Sequence, residues 1–170
     1  VEALHREVQD VAAPLARCFY RLKAAHLGMK TLKWSDRNAP MPFADTTHIP
    51  FDEGMAVVLE AYESFSPTLA HIIRDFIAAQ RIDAPAQKGK HGGAFNETLV
   101  LSDNNPVSFT LLNYLESSRN VMTLAHELGH GVHGILAGKT QGPLMYYAPI
   151  AYCETASVFG EMTTFRFLKD

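Results

Sequence analysis

The sequence predicts a mainly helical protein with one small antiparallel β-hairpin. Apolar residues at helical spacing, together with capping residues, mark helices over most of the chain. Two short strand-like segments lie between the helices, separated by a turn that reads Asp-Asn-Asn-Pro at 103–106. The 170 residues, of which 47% are hydrophobic, suffice for one core.

The first helix is predicted over residues 1–27, where apolar side chains recur at helical spacing. Gly28 is a candidate C-cap. Pro14 is expected to start or kink the second half of this helix, because it cannot donate to the helical ladder. Residues 31–50 hold three prolines and are predicted to form an irregular connector.

Capping signals predict the next two helices. Asp52 can cap a helix over residues 53–64. Ser66 followed by Pro67 is typical of a helix start, and this helix is expected to run to about Gln80.

The hairpin strands are predicted over 94–101 and 107–116. Ser118 is a candidate cap for the helix that follows, and Gly138 is expected to end it. After a loop with glycine and proline, the last helix is predicted over 150–168.

Composition argues against two kinds of partner. A net charge of −3 and a pI near 6.2 speak against nucleic acid, which is usually bound by a basic face. No apolar stretch reaches the 18 residues expected of a membrane span, so we expect no membrane partner. Cys18 and Cys153 form no paired motif, which favours free thiols and a cytoplasmic location.

The most informative segment is 126–130, which reads His-Glu-Leu-Gly-His within an apolar, helical run. His126 and His130 are four residues apart, so they extend from one helix face and can reach the same zinc ion. Glu127 lies between them and is placed to act on a water molecule at the metal. The pattern also occurs in proteins that are not enzymes, so by itself it remains a hypothesis.

A catalytic zinc site needs a third protein ligand beside a position for water. One zincin class would have glycine at 133 and histidine at 136, but this chain has His133 and Leu136. The alternative is a glutamate from a later helix. Glu154 lies 24 residues after His130 (154 − 130 = 24), and the intervening loop lets its helix fold back. Glu161, two turns further on the same face, is expected to hydrogen-bond a ligand imidazole.

The motif and its surroundings also carry a family resemblance. Residues 154–161 read ETASVFGE, and this segment with HELGH resembles the oligoendopeptidase F group of the thimet-oligopeptidase-like (M3) zinc metallopeptidases. The resemblance extends to KGKHGGAF at 88–95, LLNY at 111–114, VMTLA at 121–125, YRLK at 20–23 and WSDRNAP at 34–40. It spans nearly the whole chain and implies a mainly α, zincin-like fold of the neurolysin and oligoendopeptidase type.

The resemblance implies that one zinc ion per chain is held by His126, His130 and Glu154, with Glu127 as general base. Zinc in such sites polarises a peptide carbonyl and lowers the pKa of a water molecule. The implied substrate is an oligopeptide, and we expect its backbone to pair with the strand at 107–116.

Other residues near the motif are candidates for contacts with substrate. Gly92, Gly93 and Ala94 would let the peptide approach the backbone closely. Phe95 is a candidate for lining a substrate pocket, with a core position as the alternative. His133 is a candidate for orienting substrate or a ligand, with a packed or solvated histidine as the alternative.

Two departures from the family pattern carry expectations. Cys153 stands where family sequences often have a small residue, and we expect it to be buried in the core, with a metal ligand as the alternative. The resembling proteins are much longer and have a later loop whose histidine and tyrosine residues stabilise the oxyanion. We therefore expect residues 1–170 to be a fragment of a single catalytic domain, with parts at 1–83, 84–116 and 117–170.

From such a fragment we expect zinc binding with weak or no peptidase activity, and self-association through exposed apolar surface. Two other functions compete with an endopeptidase. A non-catalytic helical scaffold could keep the zinc fold, but a structural zinc site needs no general base such as Glu127. An aminopeptidase would need a further acidic site for the substrate N-terminus, and the sequence has no such motif.

Overall fold

The computed structural model describes residues 2–41 and 47–169. Its backbone contacts group the chain into two compact units, Val1–Thr46 and Thr47–Asp170. The three parts expected from the sequence remain a prediction about domain organisation.

The first unit is built on helix α1, Glu2–His26, which includes Pro14. Gly28 follows with a φ of +66°, a conformation that suits glycine at a helix C-terminus. Lys23 is buried and its Nζ donates a hydrogen bond to the carbonyl of Arg37 at 2.6 Å. This bond ties the connector after α1 back onto the helix. The expected irregular connector lies partly outside the described residues.

The second unit holds the remaining helices and a sheet. Its elements are α2 (Phe51–Phe65), α3 (Pro67–Ala78), β1 (Ile82–Pro85), β2 (Phe95–Val100), β3 (Pro106–Tyr114), α4 (Ser118–Gln141) and α5 (Ile150–Lys169). The mainly helical fold with a small sheet before the motif helix is therefore confirmed. None of the described helices is both long enough and apolar enough to cross a membrane.

The sheet has three strands in the order β1-β3-β2. The expected hairpin is the antiparallel pair β2 and β3, in register from Phe95 opposite Leu111 to Val100 opposite Pro106. β1 pairs parallel to β3 and was not predicted, because it has only four residues and one of them is Pro85. β3 is thus the central strand.

Helix α4 lies directly against the sheet because of a row of glycines. A Cβ at Gly131 would lie 2.9 Å from the side-chain nitrogen of Asn96 on β2, and one at Gly134 would overlap Thr98 on the same strand. A Cβ at Gly138 would lie 2.6 Å from the Cβ of Pro106. The expectation that Gly138 ends the helix is therefore wrong: α4 continues to Gln141 and uses Gly138 for close packing.

The start of α4 is fixed by its cap. Ser117, rather than Ser118, is the N-cap residue, and its hydroxyl accepts a hydrogen bond from the backbone N–H of Asn120. The side chain of Asn120 accepts in return from the backbone N–H of Ser117, which completes a capping box.

The core of the second unit lies between the helices and the sheet, and includes Val58, Ile73, Phe76, Leu112, Leu124 and Leu128.

Candidate metal centre

The backbones of α4 and α5 approach each other closely at two glycines. A Cβ at Gly129 would lie 2.8 Å from both the carbonyl oxygen of Ala156 and the Cα of Ser157. A Cβ at Gly160 would overlap the Tyr62 hydroxyl and lie 2.9 Å from the carbonyl oxygen of Ala125. This close contact sets the distance between the motif helix and the helix that carries Glu154.

The contact brings three donor groups together. Glu154 Oε2 lies 3.4 Å from His126 Nε2 and 3.8 Å from His130 Nε2. Metal–ligand bonds of zinc are about 2.0–2.2 Å, so two ligands of a tetrahedral site lie roughly 3.3–3.5 Å apart. The separation of Glu154 from His126 matches this spacing, and its separation from His130 is slightly longer, so a small closure of the group would bring all three onto a zinc ion. Within residues 2–41 and 47–169, this is the group that could hold a metal.

The second ring nitrogen of His126 faces another carboxylate. His126 Nδ1 lies 3.3 Å from Glu161 Oε2, which agrees with the hydrogen bond expected from the sequence. A carboxylate in this position keeps the proton on Nδ1 and leaves the lone pair of Nε2 directed toward the metal position.

Ser157 is a further supporting residue, which the sequence analysis did not identify. It is fully buried, with 0% of its surface exposed, and its hydroxyl donates to Glu154 Oε2 at 3.0 Å. The same hydroxyl lies 3.0 Å from the backbone carbonyl of Glu154. Its position one turn after Glu154 on a helix was the available signal, because residues three apart share a face.

Replacing Ser157 with alanine is expected to weaken zinc binding by roughly 10-fold, because outer-shell partners of metal ligands contribute roughly 10- to 100-fold to affinity. Competition with a chromophoric chelator measures this change. Thr155→Ala is the matched control, since its hydroxyl is exposed and donates to the carbonyl of Ala151 on the same helix. Equal zinc affinities for the two variants would contradict the role of Ser157.

Glu127 lies in the same cleft but is mostly buried, with 7% of its surface exposed. Burial raises its pKa, the charge of His126 opposes this effect, and the charge of Glu154 adds to it. A carboxylate with a raised pKa is a stronger base, which suits a group that takes up and releases a proton near neutral pH.

Burial has the opposite effect on His130. It lowers the pKa of the imidazole, while the neighbouring charge of Glu154 raises it and that of His126 lowers it further. The dominant burial effect favours the neutral ring, which is the form that binds a metal ion.

A cleft of about 440 Å³ lies over these residues. Ala94 and Phe95 line it, as does half-buried His133. Gly92 and Gly93 are exposed and are not among the residues that line the cleft. Substrate binding by these five residues remains a prediction.

Cys153 also lines the cleft, where it is half-buried and its thiol contacts the carbonyl oxygen of Ala148. The expectation of a core position is wrong, because the first turn of α5 borders the cleft rather than the core.

The strand that borders the cleft is β2, through Ala94 to Thr98. The expectation that the strand at 107–116 pairs with a peptide is wrong. That strand pairs with β2 over 106–111 and with β1 at Thr110, Leu111 and Tyr114, and none of its residues is among those that line the cleft. The central position of this strand was not predicted, because β1 was not recognised as a strand from its sequence.

Two histidines and a glutamate on one helix, with a carboxylate from the next helix, form a group that could hold a metal ion in the pattern typical of zincins. The chain belongs to peptidase family M3, whose family model matches residues 60–169. The resemblance to the oligoendopeptidase F group is thereby confirmed.

Relatives and solved structures agree with this assignment. Over 133 residues the chain is 29% identical to the group B oligopeptidase PepB of Streptococcus agalactiae, covering 78% of this chain and 21% of the relative. Over 161 residues it is 27% identical to an oligoendopeptidase F homolog of Lactococcus lactis, covering 95% of this chain and 25% of the relative. The chain thus spans about a quarter of the length of these proteins.

The fold is also that of known structures. The crystal structure of a putative oligoendopeptidase F from Bacillus anthracis matches with a TM-score of 0.78 and 22% sequence identity. The match covers 96% of this chain and 30% of that one.

Proposed function

We propose that this chain forms the catalytic centre of a zinc-dependent endopeptidase that hydrolyses peptide bonds in oligopeptides. The observation that carries the proposal is the meeting of His126, His130 and Glu154 in the cleft that also contains Glu127. Membership of peptidase family M3, and the oligopeptidase names of the relatives, support a peptide as substrate.

The three ligands would hold zinc through two imidazole nitrogens and one carboxylate oxygen. Zinc supplies Lewis acidity, which polarises a carbonyl and makes water more acidic. Ser157 and Glu161 orient Glu154 and His126 for this task, through the hydrogen bonds described above.

Glu127 would act as the general base and then as the general acid. One of its carboxylate oxygens accepts a proton from the attacking water and later delivers it to the leaving amine nitrogen. Glu127 lines the same cleft as the two histidine ligands, which supports this role. A structural zinc site would have no use for a carboxylate in this position, which favours catalysis over the scaffold alternative.

Glu127→Gln is expected to remove peptide hydrolysis and leave zinc binding intact, because the amide is similar in shape but cannot accept the proton. The chain would be loaded with zinc and incubated in excess over a peptide blocked at both ends, with mass spectrometry of the products. Slow cleavage at an internal bond, prevented by a chelator, is expected for the unchanged chain. The variant should show at least a roughly 100-fold lower rate, the lower end of what general acid–base catalysis contributes.

Glu60→Gln is the control for this experiment, since Glu60 is exposed on α2. Cleavage that survives in Glu127→Gln would contradict the assigned role. No cleavage by the zinc-loaded chain would mean that these residues alone do not suffice for hydrolysis. Release of terminal residues from unblocked peptides, with blocked ones left intact, would favour the aminopeptidase alternative.

We also propose a cytoplasmic location, supported by the free thiols of Cys18 and Cys153. The absence of nucleic-acid and membrane partners remains a prediction from composition. Self-association likewise remains a prediction. It is supported by exposed apolar side chains on α5, such as Phe159 and Phe165. The ring of Phe159 packs edge-to-face on the ring of Phe65 at 4.8 Å, and both side chains remain exposed, so they form one apolar patch.

A further inference from the structure

The edge of β2 that does not pair with β3 carries outward-facing backbone groups. At the end of the hairpin, the N–H of Leu101 donates to the carbonyl of Asn105 across the turn at 3.0 Å. In an antiparallel pair, successive residues direct their backbone groups alternately toward and away from the partner strand. The register of β2 is continuous, so its odd-numbered residues face β3 and its even-numbered residues face the open edge.

A tyrosine from the loop between α4 and α5 binds this open edge. The hydroxyl of Tyr146 donates to the carbonyl of Thr98 at 3.1 Å, and both residues line the cleft. Thr98 is an even-numbered residue, so the bond agrees with the direction deduced from the hairpin end. Tyr146 therefore uses the acceptor that an added peptide strand would need at this position.

We propose that Tyr146 is a specificity-determining residue that ends the peptide-binding edge of β2 at Thr98. The inference rests on the proposed function, in which an extended peptide adds to the open edge of β2. Asn96, two residues earlier, directs its backbone N–H and C=O toward the same edge. At Thr98 the carbonyl already accepts from the Tyr146 hydroxyl, so a peptide could pair there only if Tyr146 moved away.

A peptide therefore gains affinity from residues up to the one that pairs with Asn96. Residues that extend past Thr98 on that side add nothing, because they meet Tyr146. Extension at the opposite end of the peptide is not limited by this tyrosine. The result is a length limit on one side of the bound peptide.

Equilibrium binding of fluorescent, end-blocked peptides tests this inference. The zinc-loaded chain would carry Glu127→Gln so that the peptides stay intact, and the peptides would be lengthened one residue at a time at either end. Without a change at Tyr146, affinity should stop rising after a certain length at one end. With Tyr146→Ala added, each further pairing residue at that end should tighten binding roughly two- to tenfold, as expected for one main-chain hydrogen bond.

Tyr146→Phe is the second variant, since it frees the Thr98 carbonyl with little change in volume, and a smaller gain at the same end is expected. Tyr152→Ala is the control, because Tyr152 is exposed on α5 and does not line the cleft. The same length dependence in all proteins would overturn the inference and leave the proposed function intact. Binding of no peptide by any zinc-loaded protein would overturn both.

Discussion

Replacing Glu154 with alanine is expected to reduce the zinc content of the purified chain from one ion to close to none. The variant keeps both histidines but loses the only carboxylate of the described group, and two ligands on one helix leave the ion mostly hydrated. The loss of affinity should exceed the roughly 10- to 100-fold effect of an outer-shell change. Metal analysis after equilibration in zinc and desalting measures the stoichiometry.

Glu60→Ala removes one exposed carboxylate from α2 and serves as the charge-matched control. The zinc content of Glu161→Gln is expected to lie between those of Glu154→Ala and Glu60→Ala, because the Glu161 carboxylate contacts the ligand His126 rather than the ion. Full zinc content in Glu154→Ala would mean that another group completes the site, and the three-ligand arrangement would be wrong. Absence of zinc in the unchanged chain would mean that these residues do not assemble the site by themselves.

Gly160→Ala is expected to destabilise the fold by about 3 kcal/mol, at the upper end of the range for overpacked sites. Its new methyl group would meet the Tyr62 hydroxyl, which is held by a hydrogen bond to the carbonyl of Ala125 at 3.0 Å. Because α5 must then move away from α4, zinc affinity should also fall, although every ligand is retained. Urea unfolding in the presence of a chelator and zinc titration measure the two effects.

A double-mutant cycle locates the cause of this destabilisation. Tyr62→Phe removes the hydroxyl that the new methyl group would meet. Gly160→Ala should therefore lower the free energy of unfolding by less in the Tyr62→Phe protein than in the unchanged chain. Gly92→Ala is the control, because no atom lies within 4 Å of the added Cβ, and a change of less than about 0.5 kcal/mol is expected. If Gly160→Ala and Gly92→Ala behave alike, the close approach of α4 and α5 does not determine the metal centre.

Local signals predicted most of the elements. Pro67 after Ser66 correctly marked the start of α3, and the turn at 103–106 correctly separated β2 from β3. The expectation that Gly138 ends α4 was wrong, because glycine both ends helices and permits close packing, and a sequence does not distinguish the two uses. β1 was not predicted, because it has only four residues, including a proline, and forms a strand only by pairing with the longer strand β3.

The sequence by itself determined which residues are candidates for metal binding and proton transfer. The four-residue spacing of His126 and His130 follows from helix geometry alone, and Glu127 between them identifies the candidate base. The position of Glu154 on a later helix followed from excluding the other ligand pattern and from the family resemblance. The roles of His126, His130 and Glu127 need only residue types and separations along the chain, whereas the choice of Glu154 also needs the family resemblance.

Tertiary structure decided how those groups are held and which strand borders the cleft. The contact of Ser157 with Glu154 and the packing of Tyr62 against Gly160 depend on the distance between elements, which no local pattern encodes. The choice of β2 as the strand that borders the cleft depends on the order of strands in the sheet. Pairing between strands is a long-range property, so only the folded chain reveals which edge remains open.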